Sequence, residues 1–139
     1  TKAVLPRMRE QDFGRIINIG SIHAMVASKY KSAYIAAKHG LIGFAKTMAL
    51  ETGDANITIN TVCPAYVKTP LVEQQIASQA KEHGISEQQV IDTIMLAPMP
   101  KKAFIGLDEI LHTVSFLMAD AARNITAQAI AIDGGWTAQ

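Results

Sequence analysis

Two apolar runs of strand length flank one long helical stretch, and that alternation limits the possible folds more than any other feature. The runs are "RIINIGS" (15–21) and "NITINTVCP" (56–64), and the helix between them spans about Ser32 to Glu51. A crossover helix between strands implies that the strands run parallel. The first run ends in a Gly-Ser corner, as a buried parallel strand does, and the second is β-branched and closed by Pro64. "AQAIAIDGG" (127–135) supplies a last strand and its turn. The order helix, strand, helix, strand, helix pair, helix, strand predicts an α/β doubly wound parallel sheet. Three strands make a thin sheet, and both outer connections want partners.

The helices are read from spacing. Residues 1–12 form the tail of a helix that begins before Thr1, and Gly14 resets the chain. In the long helix Ala37, Leu41, Phe44 and Met48 are spaced to form one buried face, and Gly53 stops it. From Pro70 to Met99 the chain turns polar with thin apolar stripes. Leu71, Ile76 and Ala80 belong to one piece, which Gly84 breaks. Ser86 and Gln89 then form a capping box for a second piece carrying Val90, Ile91, Ile94 and Met95, ended by Pro98 and Pro100. Such a pair, at about 70–99, reads as a movable helical cover over a site. Residues 107–119 form a further helix, with Ile110, Leu111, Val114, Leu117 and Met118 on one side.

Composition excludes several classes of function. The chain has 139 residues, 49% of them hydrophobic, which suits one domain with a real core. A net charge of +1 without a basic run beyond Lys101-Lys102 argues against nucleic acid and membrane surfaces as partners. The single cysteine, Cys63, forms no internal disulfide, and the four histidines show no metal-ligand spacing. No signal peptide opens the chain, and no apolar run approaches the roughly 20 residues of a membrane span. A reducing, cytoplasmic setting is expected.

The chemistry centres on "SAYIAAKHG" (32–40), where Tyr34 and Lys38 stand four residues apart at the start of the long helix. Side chains at i and i+4 are neighbours, and a nearby ammonium favours a phenolate, which suits a general base acting on an alcohol. Ser21 closes the first strand, at the carboxyl edge where parallel α/β sheets bind ligands, and the loop after it returns to the helix carrying the pair. A hydroxyl, a phenol and an ammonium converging there suit polarising a carbonyl or deprotonating an alcohol. Taken singly, Ser21 is equally a turn or cap residue, and Lys38 a solvated charge.

"GRIINIGS", the spacing of thirteen residues from Ser21 to "YIAAK", "ITINTVCPAYVKTPL" and "AIAIDGGW" together resemble the second half of a short-chain dehydrogenase/reductase, over essentially all 139 residues. The resemblance implies the C-terminal half of one Rossmann-type domain, residues 1–139, with NAD as cofactor. It implies Tyr34 as general acid/base, Lys38 as its tuning partner and the holder of the nicotinamide ribose, and Ser21 as hydrogen-bond partner of the reacting oxygen. Pro64, Val67, Thr69 and Leu71 map to the loop that clamps the nicotinamide end.

Within the family, "SIHAMVASKYKSAY", "TPLVEQQI" and "DGGWTAQ" look like bacterial members that interconvert D-3-hydroxybutyrate and acetoacetate. That resemblance makes His23, Lys31 and Gln75 the holders of a small hydroxy acid's carboxylate, and Tyr66 and Trp136 the walls around its carbon chain. A small anion needs a cation and aimed donors, which fits Lys31 just before the catalytic helix. As isolated residues, Lys31 and Gln75 also fit solvent, His23 a loop contact, and the two aromatics a core. Such dehydrogenases assemble as homotetramers, and Ala36, Ala37, Gly40 and Gly43 would let helices pack closely between subunits or equally on the sheet.

Some family features are missing. The glycine-rich phosphate loop, the acidic residue that selects NAD over NADP and the upstream asparagine of the proton relay all belong to a first half, so the chain is expected to be the C-terminal half of a longer enzyme. Pro64-Ala65 stands where the family usually has Pro-Gly, which is strained if that position needs a positive φ. An acyl-thioester or sugar-alcohol reductase, and an inactive assembly module, are the alternatives.

Overall fold

The computed structural model describes residues 1–138, leaving Gln139 at the end of "DGGWTAQ" outside the described residues. After α1 (Leu5–Glu10) come β1 (Gly14–Ile19), α2 (Ser32–Glu51) and β2 (Ile57–Pro64). A helical pair follows, α3 (Pro70–His83) and α4 (Glu87–Val90), with α4 running into a π-helical turn at Ile91–Met95. The chain ends with α5 (Leu107–Met118), β3 (Ala129–Ile132) and a short turn at Trp136–Ala138. All three strands are parallel, in the order β1-β2-β3. The α/β class and parallel sheet are those expected.

The central strand shows why this order is stable. Every residue of β2 from Ile57 to Pro64 is buried, so both of its faces are covered, and α2 and α5 both pack on it. Its register aligns Asn18 with Thr61 and Thr61 with Ala129, bringing the three strands level at their carboxyl ends. There Gly20 meets β2 so closely that a Cβ would lie 2.8 Å from Thr61 Cγ2 and 3.0 Å from Cys63 Sγ. Only glycine fits, and this fixes where Ser21 emerges.

Two helix faces differ from the expected ones. In α2 the fully buried residues are Ala45 and Ala49, on a stripe with the half-buried Lys38 and Ile42, whereas Ala37 is exposed and Phe44 is 40% exposed. The stripe i, i+4, i+7, i+11 with small alanines lets the helix lie close to the strands, so the bulky Phe44 is left outside. In α5, Ile110, Val114 and Leu117 face inward, but Leu111 (61%) and Met118 (56%) face outward with Leu107 and Phe116. A Cβ on Gly40 or Gly43 would meet nothing within 4 Å, so these glycines do not serve packing on the sheet.

The segment 70–99 forms the two helical pieces expected, broken at Gly84 (φ 65°) and restarted by the Ser86–Gln89 capping box. It is less thin than its sequence suggests. Ile76, Val90 and Met95 form a buried cluster, and Leu96, Met99 and Ile105 form a second that reaches Ala65, Ile132 and Trp136. The segment therefore has a buried core, which at one end is shared with β3 and the Trp136 turn. No described helix is long and apolar enough to cross a membrane. Among the described residues no group of His, Cys, Asp or Glu side chains is arranged to hold a metal ion.

Candidate active site

The carboxyl ends of β1 and β2 open into a cavity of about 330 Å3 beneath the first turns of α3. Of the residues expected at a site, Ser21, His23, Lys31, Tyr34, Tyr66, Leu71, Gln75 and Trp136 line it. Lys38, Pro64, Val67 and Thr69 do not. Ile22, Ala65 and Val72 are lining residues that were not singled out as site residues. Val72 was nonetheless detectable, because on a helix it stands three residues from Gln75 and so shares its face.

Each side chain is brought there by local geometry. Ser21 leaves β1 in extended conformation and caps the short helical turn Ile22–Ala24, its Oγ accepting the His23 N–H at 3.2 Å. It is thus both the cap that its sequence position allowed and a cavity residue. The turn buries His23 to 6% exposure, between Tyr34 (ring centroids 6.1 Å apart) and Trp136 (5.8 Å), edge-on to both. Tyr34 lies in the first turn of α2, and Lys38 lies one turn on. The Lys38 ammonium donates to the Ile19 carbonyl at 3.2 Å and sits 5.6 Å from the Tyr34 ring centroid. Lys38 is therefore held behind Tyr34, against the end of β1, and not within the cavity.

Tyr66 and Trp136 stack with a 21° interplanar angle at 6.2 Å, forming one aromatic wall. Burial raises the Tyr66 pKa, so this phenol stays protonated and serves as a wall. Trp136 depends on the turn before it. Asp133 accepts from the N–H groups of Gly135 (2.9 Å) and Thr137 (2.8 Å) and from the Thr137 hydroxyl (2.7 Å). Burial opposes the Asp133 charge, but the Thr137 hydroxyl and these N–H groups outweigh it and hold the carboxyl below its ordinary pKa. Gly135 has φ 91°, and a Cβ there would lie 3.2 Å from the Pro100 ring, so the turn requires glycine. Ala65, by contrast, is not among the residues of positive φ, and the alanine there is unstrained.

The cavity has a polar side in Lys31, His23 and Gln75. Burial, and secondarily the Lys31 charge, lower the His23 pKa from its usual 6.5. Its Nε2 lies 3.5 Å from Ser28 Oγ, and its Nδ1 is buried without a well-formed hydrogen bond among the described residues, although the Val26 backbone nearby favours the protonated ring and partly offsets the lowering. The folded protein thus keeps this ring neutral where an unfolded chain already binds a proton. The stability this contributes is fully present above about pH 6.5 and is lost as the pH falls through the lower folded pKa. Replacing His23 with asparagine is expected to flatten the fall in denaturant midpoint below that pH. The same fall in both proteins would assign it to another group.

The loop after β2 carries the residues expected at a cofactor. Ile105 pairs with its backbone through Tyr66 C=O (2.9 Å) and Lys68 N–H (3.2 Å), which leaves the N–H and C=O of Val67 without a partner among the described residues. An amide group, with one donor and one acceptor, matches that unused pair. Thr69 Oγ1 caps α3 by accepting the Val72 N–H at 3.4 Å, and its hydroxyl proton remains available.

Comparison with known proteins agrees with this geometry. A family model described as enoyl-(acyl carrier protein) reductase matches residues 1–137. A curated relative from Rhizobium meliloti (strain 1021), D-beta-hydroxybutyrate dehydrogenase, is 49% identical over 99% of this chain and 54% of its own length. The chain spans about half the length of the curated relatives it matches. Among solved structures, a short chain dehydrogenase family protein from Francisella tularensis superposes with a TM-score of 0.85 at 32% identity, over 90% of this chain and 51% of that one. A variant of actinorhodin polyketide ketoreductase solved with NADPH gives 0.85 at 32% identity, over 93% of this chain and 49% of that one. With the parallel sheet and with Ser21 and Tyr34 gathered at its carboxyl edge, these matches establish that the chain belongs to the short-chain dehydrogenase/reductase family, as part of its Rossmann-type fold.

Proposed function

We propose that this chain is the catalytic and substrate-binding half of an NAD-dependent oxidoreductase that interconverts D-3-hydroxybutyrate and acetoacetate. One observation carries the reading: a cation (Lys31), a buried imidazole (His23) and an amide (Gln75) line the same small cavity as Tyr34, with an aromatic wall beside them. A four-carbon hydroxy acid has a carboxylate for the first group and an alcohol for the second. The similarity to the Rhizobium meliloti dehydrogenase supports the substrate.

Tyr34 takes the alcohol proton during oxidation and returns it during reduction. Ser21 donates a hydrogen bond to the same oxygen, and Lys38, anchored on Ile19, keeps a positive charge behind the phenol. His23, neutral near pH 7, contributes a hydrogen bond to the carboxylate and leaves the charge to Lys31. The dinucleotide supplies, when bound, the ring that takes or gives the hydride. Lys38, Pro64, Val67, Thr69 and Leu71 would hold its nicotinamide end, and the unused amide pair of Val67 fits the carboxamide.

The apolar side chains exposed on β1 (Ile19, with Phe13 before it) and on α5 support a larger body in which they are covered. The open surface at Ala36, Ala37, Gly40 and Gly43 suits close helix packing between the subunits of a homotetramer. Cys63, buried and unpaired, fits the reducing cytoplasm.

The test is the reduction of NAD by D-3-hydroxybutyrate with the complete protein. Turnover with NADP but not NAD would overturn the cofactor, and no turnover with either would overturn the whole reading. Replacing Lys31 with methionine is expected to raise KM for the hydroxy acid about 10- to 100-fold, the loss of a charged hydrogen bond, with a much smaller change in kcat. Reductases of uncharged substrates would not show this, so an unchanged KM would favour an acyl-thioester or sugar-alcohol substrate.

A further inference from the structure

A second cavity, of about 460 Å3, lies against the first turn of α3, between that helix and α4. Ile76, Ile91 and Phe104 give it apolar walls, and the exposed Lys68, Glu73 and Glu87 stand at its mouth. Val72 is the one residue that lines both this cavity and the substrate cavity.

Its position explains the double role. In α3, Leu71 and Gln75 face the substrate side, while Glu73 and Ile76 face the second cavity. Val72 lies three residues before Gln75 and four before Ile76, on the boundary between these faces. The cap from Thr69 fixes its backbone, and its side chain packs against the buried Ile76–Val90–Met95 cluster. It is thus a wall common to two spaces that each carry apolar lining.

We propose that Val72 sets the maximum length of the acid's carbon chain. With valine in place, a substrate anchored by its carboxylate has room for a short chain bounded by Val72, Leu71 and the Tyr66–Trp136 wall. With a smaller side chain the two spaces join, and a longer chain extends between Ile76, Ile91 and Phe104. This rests on the hydroxy-acid reading above. Burying one methylene strengthens binding roughly fourfold, so two further methylenes amount to about tenfold or more.

The experiment measures kcat/KM of the complete protein, with NAD, for D-3-hydroxybutyrate, D-3-hydroxypentanoate and D-3-hydroxyhexanoate. Val72→Ala is expected to raise the hexanoate-to-butyrate ratio about tenfold, and adding Ile91→Phe, which fills the second cavity, is expected to return it to the starting value. Val72→Ile, which needs no new space in the fold, is expected to lower the pentanoate-to-butyrate ratio. Turnover with ratios that move in none of these variants would overturn this proposal alone. No turnover of any of the three acids by the unaltered protein would overturn the hydroxy-acid reading, and this proposal with it.

Discussion

Replacing Tyr34 with phenylalanine is expected to lower kcat about 10²- to 10⁴-fold, the range for losing a positioned general acid/base. The substitution removes one oxygen and leaves the ring. That ring provides the contact with His23 at 6.1 Å and the surface over which the Lys38 ammonium lies at 5.6 Å, so the cavity should keep its shape. The polar side of the cavity, formed by Lys31, His23 and Gln75, is untouched, and KM for the proposed hydroxy acid is expected to change only a few-fold. Steady-state kinetics of the complete protein, with circular dichroism to verify the fold, separate the two quantities. A variant that keeps more than a tenth of kcat would take proton transfer away from Tyr34. Ser21 or His23, which share the cavity, would then be the groups to substitute next.

Much of this site was legible because its markers sit where strands end. "RIINIGS" and "NITINTVCP" announce themselves by β-branched residues and by Gly and Pro closures, and parallel pairing then delivers Ser21 and the start of α2 to one edge. The face of α2 was harder to read. In a helix rich in alanine and glycine, small residues pack on a sheet as well as large ones do, so a pattern sought in Leu, Phe and Met misplaces the buried stripe by about one residue. The role of Lys38 was legible as a charge near Tyr34, but its anchor, the Ile19 carbonyl, is nineteen positions away in the chain and exists only once β1 and α2 have packed. Val72 went unnoticed because an aliphatic residue in a polar helix carries no chemical label, and its only sequence signal is that it shares a face with Gln75. Its importance comes from the two cavities beside it, which are properties of the folded chain. The Asp133 turn belongs to the same class: the Gly-Gly-Trp sequence signals a turn, but not that a carboxylate holds it by three hydrogen bonds.

Replacing Asn60 with leucine is expected to cost about 1–3 kcal/mol of stability, since two part-buried hydrogen bonds to backbone are lost at about 0.5–1.5 kcal/mol each. Asn60 lies in the middle of β2 and is fully buried. Its Nδ2 donates to the Ile125 carbonyl at 2.7 Å, and its Oδ1 accepts the Gln128 N–H at 3.0 Å. Leucine keeps the branch at Cγ and opens no cavity, but its two methyl groups are bulkier than the amide, and at this fully buried position the overpacking adds to the loss. The loop it fastens leads directly into β3. There Thr61 N–H donates to Gln128 C=O at 2.8 Å and Ala127 holds a left-handed φ of 60°. Loosening that loop loosens the pairing of Thr61 with Ala129 and, through β3, the turn that presents Trp136 to His23. The variant is therefore expected to lose denaturant resistance and to show a raised KM, although Asn60 touches nothing in the cavity. Asn60→Asp keeps the acceptor for Gln128 but sets a carboxylate against the Ile125 carbonyl, and is expected to be at least as destabilising. A leucine variant within about 0.5 kcal/mol of the unaltered protein, the usual range of an inert surface change, would mean that the bonds of Thr126 and Ala127 to Ile59 hold the loop without Asn60.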